Sequence, residues 1–139
     1  MGYMAYNNDE NNVAIYGYLY TWELAQTMAP AGWHLPSKEE WRTLVDYLGG
    51  KDAAYNKLLA TGTAHWGSPN DATNESGFTA LPAGYYDQRY DKFKFMGHLT
   101  MFHSTDESNV ALTLNQNFKE ASIEGKPLEI VVPIRCVKD

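Results

Sequence analysis

The stretch AGWHLPSKEEW, residues 31–41, decides the fold because it carries a complete signal for the start of a helix. In S-K-E-E, the Ser37 hydroxyl can accept a hydrogen bond from the amide three residues on, and the Glu40 carboxylate can reach back to the Ser37 amide. That is a capping box. Apolar side chains then follow on one helical face: Trp41, Leu44, Val45 and Leu48. A helix is therefore predicted from Ser37, after a short extended segment that points Trp33 and Leu35 into the core.

Helical segments are also predicted on both sides of this helix. Upstream, a helix is predicted from about Tyr18 to Met28, with Thr21 as its N-cap, and Pro and Gly residues follow to stop it. Downstream, Gly49-Gly50 ends the second helix, and AAYNKLLAT adds further helical turns. Residues 61–77 are small and polar, which indicates a loop, and Trp66 is expected to fill a core position there.

Short strands are predicted after the glycine that ends this loop, because apolar and polar residues alternate there. The segments are FTALPAGYY, KFKFMGHLTMFHS, NVALTLN, KEASIEG and EIVVPIRCVKD. Helices first and short antiparallel strands after them indicate an α+β fold, in a single domain over residues 1–139. Residues 1–12 are polar and rich in Asn; they are expected to be poorly ordered or to derive from the expression vector.

Composition and charge exclude several classes of function. The net charge is −6, and no cluster of Lys and Arg has the density that binding to nucleic acid or to an anionic membrane surface requires. No run is long and apolar enough to cross a bilayer, so no direct membrane insertion is expected within this chain. The single cysteine, Cys136, excludes an internal disulfide and a multi-cysteine zinc site. Its apolar neighbours indicate a buried thiol that acts as a small hydrophobe.

Several stretches occur in an order that is typical of one family. They are YGYLYTWELA, APAGWHLPSKEEWRTL, ATNESGFTALPAGYY, F-x-x-x-G at Phe93–Gly97, FHSTDES and the terminal IRCVKD. From about Tyr16 to Asp139 they resemble the Fibrobacter succinogenes major paralogous domain of surface and lipid-anchored proteins in Fibrobacter and Bacteroidetes. The resemblance implies a C-type lectin-like fold, related to the formylglycine-generating enzyme fold, with two helices packed on a twisted, mostly antiparallel sheet with long loops. FHST departs from the usual WSST, and residues 115–133 match the family pattern poorly.

The candidate ligand-binding residues cluster in AGYYDQRYDKFKF, residues 83–95, a segment predicted to be an exposed loop. Tyr and Arg are enriched at binding hot spots because they give large contact area and hydrogen bonds at modest entropy cost. The resemblance to lectin-like folds, whose late-chain loops carry ligands, extends the predicted face. The predicted set is Tyr85, Tyr86, Asp87, Arg89, Tyr90, Asp91, Phe102, His103, Asn115 and Asn117. The alternative is a solvated hairpin tip whose tyrosines pack on their own neighbours.

Metal binding and catalysis have weaker support. The loop NDATNES offers oxygen ligands for Ca²⁺, namely Asn70, Asp71, Asn74 and Glu75. The EF-hand order is missing, however, and a loop held by Asx-turns is the favoured interpretation; no other cofactor is expected. His34 has no nearby nucleophile to activate and is expected to hydrogen-bond to the backbone. The resembling formylglycine-generating enzymes use paired cysteines, which a single cysteine cannot supply.

The sequence therefore predicts a non-catalytic recognition module that binds a glycan or protein ligand through late-chain loops. The resemblance implies display outside the cell or on the outer-membrane surface, as a monomer or as part of a larger chain. The lectin-like scaffold that the resemblance implies is also used by the variable proteins of diversity-generating retroelements. If this chain is such a protein, residues 85–118 would be its diversified face. The first alternative is a structural or adhesin subunit of a larger surface protein. The second is a metal-dependent enzyme of the formylglycine-generating fold.

Overall fold

Short helices and strands joined by long loops make up the chain. The computed structural model describes residues 2–139, which form four α-helices and ten strands. The helices are α1 (Val13–Tyr16), α2 (Trp22–Ala25), α3 (Lys38–Tyr47) and α4 (Lys51–Leu58). The strands are β1 (Tyr3–Met4), β2 (Leu19–Tyr20), β3 (Trp33–His34), β4 (Tyr85–Asp87), β5 (Lys92–Lys94), β6 (Leu99–His103), β7 (Val110–Asn115), β8 (Glu120–Gly125), β9 (Ile130–Val131) and β10 (Val137–Lys138). They form small antiparallel sheets in the orders β1-β2, β10-β3, β5-β4-β9 and β6-β7-β8. The predicted α+β class is confirmed.

Helix α3 begins as its capping box predicts. The Ser37 hydroxyl accepts from the Glu40 amide at 3.1 Å, and a Glu40 carboxylate oxygen accepts from the Ser37 amide at 3.0 Å. Trp41 starts the buried stripe of the helix. Gly49 and Gly50 then adopt φ of 104° and 96°, a region that glycine enters without steric cost, and they end the helix. Helix α4 follows directly, and both helices pack on the β6-β7-β8 sheet.

The main core lies between these two helices and the β6-β7-β8 sheet. Phe102 on β6 pairs with Leu112 on β7, and both side chains are buried in the core cluster with Trp41. Residues 110–114 of β7 are all buried, as expected for a central strand that is covered on both faces. Trp66 is also buried in this cluster, which confirms the core position predicted for it.

The start of the chain is more ordered than the sequence indicated. Strand β1 pairs with β2, and Ala5 and Tyr6 are buried. Short 3-10 turns at Tyr6–Asn8 and Glu10–Asn12 then lead into α1. The expectation of a poorly ordered start is therefore wrong for residues 3–12, whereas Met1 lies outside the described residues.

The helix predicted over residues 18–28 is wrong in extent. Leu19–Tyr20 instead form β2, which pairs with β1, and Tyr20 also bridges Val132 near the other end of the chain. Helix α2 is a single turn, and Thr21 is its N-cap as predicted, because its hydroxyl accepts from the Leu24 amide at 3.4 Å. These pairings between distant segments prevail over the local helical spacing.

A second, smaller core supports the β5-β4-β9 sheet. Its buried members are Tyr6, Leu19, Ala83 and Val131. Gly84 precedes β4 with φ of 66°, and a Cβ atom there would clash with the Lys94 carbonyl oxygen. Because no side chain fits at this position, glycine allows β4 to lie close to the segment that follows β5. The strand predicted over FTALPAGYY is accordingly reduced to its last two residues, which begin β4.

Candidate functional site

Strands β4 and β5 form a hairpin that contains the first part of the predicted ligand-binding set. Tyr85 pairs with Lys94, and Tyr86 pairs with Phe93. The turn over residues 88–91 joins the strands. The segment predicted to be an exposed loop is therefore a strand–turn–strand unit, in which the turn is the most exposed part.

Asp87 is 1% exposed, which contradicts its predicted place on a binding surface. Its Oδ1 accepts from the Arg89 amide at 3.1 Å and from Arg89 Nε at 3.0 Å, and its Oδ2 accepts from Arg89 Nη2 at 2.9 Å. These bonds hold the pKa of Asp87 below its ordinary value, with the side-chain hydrogen bonds from Arg89 as the main cause. From its buried position, Asp87 therefore holds both the main chain of the turn and the Arg89 side chain in place.

Tyr90 at the turn is 60% exposed. The Arg89 guanidinium lies 5.3 Å from its ring centroid and the Lys94 ammonium 4.9 Å from it, which are cation–π contacts. Beside them, exposed Phe95 packs on Tyr85 at a centroid distance of 5.7 Å. We call Tyr85, Arg89, Tyr90, Lys94 and Phe95 the hairpin patch. Lys94 and Phe95 were outside the predicted set; a hairpin register would have indicated Lys94, which lies across from Tyr85.

Tyr86 and Asp91 close the hairpin. The Tyr86 ring lies 4.8 Å from that of Phe93 and faces the second core. Its hydroxyl donates to the Asp91 carboxylate at 2.5 Å, and this bond raises the pKa of Tyr86. The predicted alternative, in which tyrosines pack on their own neighbours, is therefore correct for Tyr86, although Tyr90 remains exposed.

The prediction that Phe102 and His103 bind ligand is wrong, because they are 4% and 0% exposed. Phe102 stacks in the main core, 5.9 Å from Trp41 between ring centroids. His103 Nε2 lies 2.6 Å from the Tyr20 carbonyl oxygen, so Nε2 carries the proton, and Nδ1 has no partner among the described residues. Burial lowers the pKa of His103 to about 4, and the ring is therefore neutral at pH 7.

Asn115 and Asn117 lie at the turn between β7 and β8, on a different sheet from the hairpin. The Asn115 side-chain oxygen accepts from the Asn117 amide at 2.9 Å, which stabilises the turn. Asn117 and its neighbour Phe118 are exposed. The structure therefore divides the exposed members of the predicted set between the hairpin and this separate turn.

The side chains considered for Ca²⁺ form hydrogen bonds around their own loop. Asn70 makes the predicted Asx-turn, in which its side-chain oxygen accepts from the Ala72 amide at 3.1 Å. Asn74 and Glu75 bond to threonines of the same loop. Among residues 2–139, no group of three or more His, Cys, Asp or Glu is placed to hold a metal ion. The interpretation as a loop held by Asx-turns is confirmed at Asn70.

His34 was expected to hydrogen-bond to the backbone, but its two ring nitrogens contact carboxylates. Nε2 lies 2.8 Å from Glu40 and Nδ1 lies 2.6 Å from Asp139. Carboxylates only accept hydrogen bonds, so both contacts are hydrogen bonds when the ring is the protonated imidazolium, in which each nitrogen donates. The bond to Glu40, followed by the bond to Asp139, raises the pKa of His34. This arrangement, the His34 clasp, joins the end of the chain to the start of α3.

A groove of about 590 Å³ lies between α3 and the β10-β3 sheet. Trp33, predicted to point into the core, is instead 45% exposed and lines this groove, whereas Leu35 is buried as predicted. Cys136 also lines it and is half-buried, so the prediction of a fully buried thiol is wrong; partial burial raises its pKa. The groove is not apparent in the sequence, because distant parts of the chain form it and no local motif marks it.

Fold and site together define a small α+β domain that presents an aromatic and cationic hairpin. The sequence identifies its family: the chain belongs to the Fibrobacter succinogenes major domain family, whose model matches residues 1–138. The resemblance noted from the sequence is thereby confirmed. No curated protein and no solved structure gives a significant match. Within residues 2–139, no helix has the length and apolar character needed to cross a membrane.

Proposed function

We propose that this protein is a non-catalytic recognition module of the cell surface, which binds a glycan or protein ligand through the hairpin patch. The observation that carries the proposal is Tyr90, an exposed ring flanked by the cations of Arg89 and Lys94. Tyr and Arg supply much of the energy at binding hot spots. A ligand that covers this surface would shield the cation–π contacts from water, which strengthens them.

The hairpin is held in place before any ligand arrives. Buried Asp87 fixes the Arg89 guanidinium with two side-chain hydrogen bonds, and Tyr86 closes the turn onto Asp91. Gly84 keeps β4 against the segment after β5. Because these side chains are already ordered, ligand binding would cost less conformational entropy here than it would at a flexible loop. This supports a recognition surface rather than an incidental turn.

The family resemblance supports the finer parts of the proposal. We infer a variant of the C-type lectin-like fold, because two helices pack on an antiparallel sheet and long loops follow. In such a fold the late-chain surface serves as the ligand side, and the hairpin lies in that part of the chain. Display outside the cell agrees with the surface proteins in which the resembling domains occur.

The test is a screen of glycan and surface-protein arrays against the intact chain, with and without EDTA. We expect a ligand whose binding does not change with EDTA, because Asn70, Asn74 and Glu75 already bond within their loop. We expect Tyr90→Ala to reduce the affinity about tenfold, as for a moderate hot spot. Lys94→Gln should cause a smaller loss, since it removes one of the two cations.

The matched control is Phe118→Ala, which removes another exposed aromatic ring, from the turn on the other sheet. This variant should bind like the original chain. If Phe118→Ala loses affinity and Tyr90→Ala does not, the recognition surface lies at the β7–β8 turn and the hairpin proposal is wrong. If no array component binds and light scattering shows self-association, a structural subunit is the better interpretation.

A further inference from the structure

The groove beside α3 is separate from the hairpin and has the properties of a small-ligand site. Helix α3 forms one wall with Glu40 and Tyr47, and the C-terminal segment with Trp33 forms the other, while Phe78 lies between them. Its volume of about 590 Å³ is within the range of about 300–1,000 Å³ that ligand pockets occupy. Tyr47 and Trp33 are both exposed, so two aromatic rings face solvent at one concave site.

Trp33 differs from the other tryptophans in its hydrogen bonding. The other indole N–H groups donate to backbone carbonyl oxygens: Trp22 to Ser104 at 2.7 Å, Trp41 to His103 at 3.2 Å and Trp66 to Ala80 at 2.9 Å. The Trp33 indole has no acceptor within residues 2–139. A buried tryptophan usually has a hydrogen-bond acceptor for its indole N–H. Trp33 is exposed and has none in the described chain, so its ring and its N–H are both available to a ligand.

The charges at the groove favour an anion. Arg135 and Lys138 line it, and neither forms an ion pair with an acidic residue of the described chain. Glu40, the carboxylate of the groove, already accepts from His34 and from the Ser37 amide. Arg135 is held in place, because its guanidinium lies 4.0 Å from the Phe78 ring centroid and donates to the Phe78 carbonyl oxygen at 2.9 Å.

We propose that this groove binds an acidic saccharide, that is, a sugar that carries a carboxylate. The C–H faces of successive pyranose rings would lie against Trp33 and Tyr47, and a ring hydroxyl would accept from the Trp33 indole. The carboxylate would pair with Arg135 and Lys138, since guanidinium groups bind carboxylates through two parallel hydrogen bonds. A neutral saccharide would leave both cations unpaired, and a simple inorganic anion would leave both rings uncovered. The site is independent of the hairpin.

The test is a titration of the full chain followed by NMR and calorimetry, with trigalacturonate as the probe. The neutral trisaccharide maltotriose and inorganic sulfate are the comparison ligands. We expect trigalacturonate to shift the Trp33 indole N–H signal and to bind at least about tenfold more tightly than maltotriose, which is the gain from one good charged pair. Affinity should fall as the salt concentration rises, because the pairing cations are exposed.

Lys138→Gln should weaken trigalacturonate binding about fivefold, the scale of one exposed ion pair. The matched control is Lys92→Gln, which removes another exposed, unpaired lysine from the hairpin and should have no effect. Trp33→Phe keeps a ring but deletes the N–H, and it should weaken binding less than Trp33→Ala. A melting curve of each variant shows that it is folded, and Lys138→Gln tests the proposal even if Trp33→Ala does not fold.

Three results would overturn the proposal. They are equal affinity for maltotriose and trigalacturonate, equal effects of the two lysine substitutions, and the same Trp33 shift with sulfate alone. Phe118→Ala, at a turn outside both the groove and the hairpin patch, should leave trigalacturonate binding unchanged. Lys138→Gln tests the affinity of the groove for trigalacturonate, whereas Tyr90→Ala tests the affinity of the hairpin patch for the ligand found on the arrays. Failure of one proposal is therefore distinguished from failure of the other.

Discussion

The main core and the hairpin patch are both rich in aromatic residues, yet these residues lie in opposite environments. In the core, Phe102 lies 5.9 Å from Trp41 and 5.6 Å from Phe78 between ring centroids, and the Trp41 indole donates to the main chain. In the patch, Tyr90 has two cations as its neighbours and faces solvent. Aromatic content alone therefore identifies no binding site. The two groups of aromatic residues differ in their burial and in the hydrogen-bond partners that their polar atoms already have.

The largest expected effect is at Trp66 in the core. Trp66→Ala removes a buried indole and its hydrogen bond to the Ala80 carbonyl oxygen, which keeps only the Ala60 amide as a donor. The free energy of unfolding should fall by about 3–5 kcal/mol, measured by urea denaturation. In the same assay Tyr90→Ala should change stability by about 0.5 kcal/mol or less, as for an exposed side chain. Similar losses for the two variants would remove the distinction between core and patch.

The next effect concerns His103, which is buried and neutral. Its pKa is about 4 in the folded chain against about 6.5 when unfolded. As the pH falls below 6.5 the unfolded state takes up the proton first, so stability is lost, by about 2 kcal/mol at pH 5. Urea denaturation at pH 7 and pH 5 measures this loss. His103→Gln retains a donor for the Tyr20 carbonyl and should show a much smaller difference; an unchanged pH dependence in this variant would refute the assignment.

A smaller effect is expected at the cap of α3. Ser37→Ala removes the hydroxyl that accepts from the Glu40 amide and should lower stability by about 1 kcal/mol. Since the cap lies outside the hairpin patch, affinity for the ligand from the arrays should not change. Thermal unfolding of this variant measures the loss of stability, and a binding titration of the same variant measures the affinity. A loss of binding without a loss of stability would give this stretch a functional role.

The smallest effect is expected at the exposed His34 clasp. The pKa of His34 is raised in the folded chain, so its stabilising contribution is fully present below about pH 6.5 and disappears as the pH rises through the higher folded-state value. The melting temperature of the original chain should therefore decrease between pH 6 and pH 8.5 more than that of His34→Gln. Equal decreases would show that the bonds to Glu40 and Asp139 contribute no stability.

Local signals predicted the parts of the fold that local contacts determine. The capping box at Ser37, the stripe from Trp41 and the glycines after α3 all depend on neighbours within one or two turns, and each was predicted. The helix over residues 18–28 failed because Leu19 and Tyr20 pair with β1 and with Val132, which no local window contains. Trp33 was misplaced for the same reason, since its strand pairs with the end of the chain.

The sequence indicated the segment that forms the hairpin patch, but not the arrangement of its side chains. Hot-spot composition indicated the segment around Tyr90, and the structure exposes that ring. Composition could not show that Asp87 is buried or that the Lys94 ammonium lies over the Tyr90 ring, because both positions depend on the register of the hairpin. Phe102 and His103 were selected by order along the chain, although they belong to a sheet that is covered on both faces.

The most direct test of the central claim is a binding titration of three chains with the ligand identified by the arrays: the original chain, Tyr90→Ala and Phe118→Ala. The hairpin patch predicts a loss of about tenfold for Tyr90→Ala, no change for Phe118→Ala, and unfolding curves that coincide. Unchanged affinity in a folded Tyr90→Ala chain would contradict it.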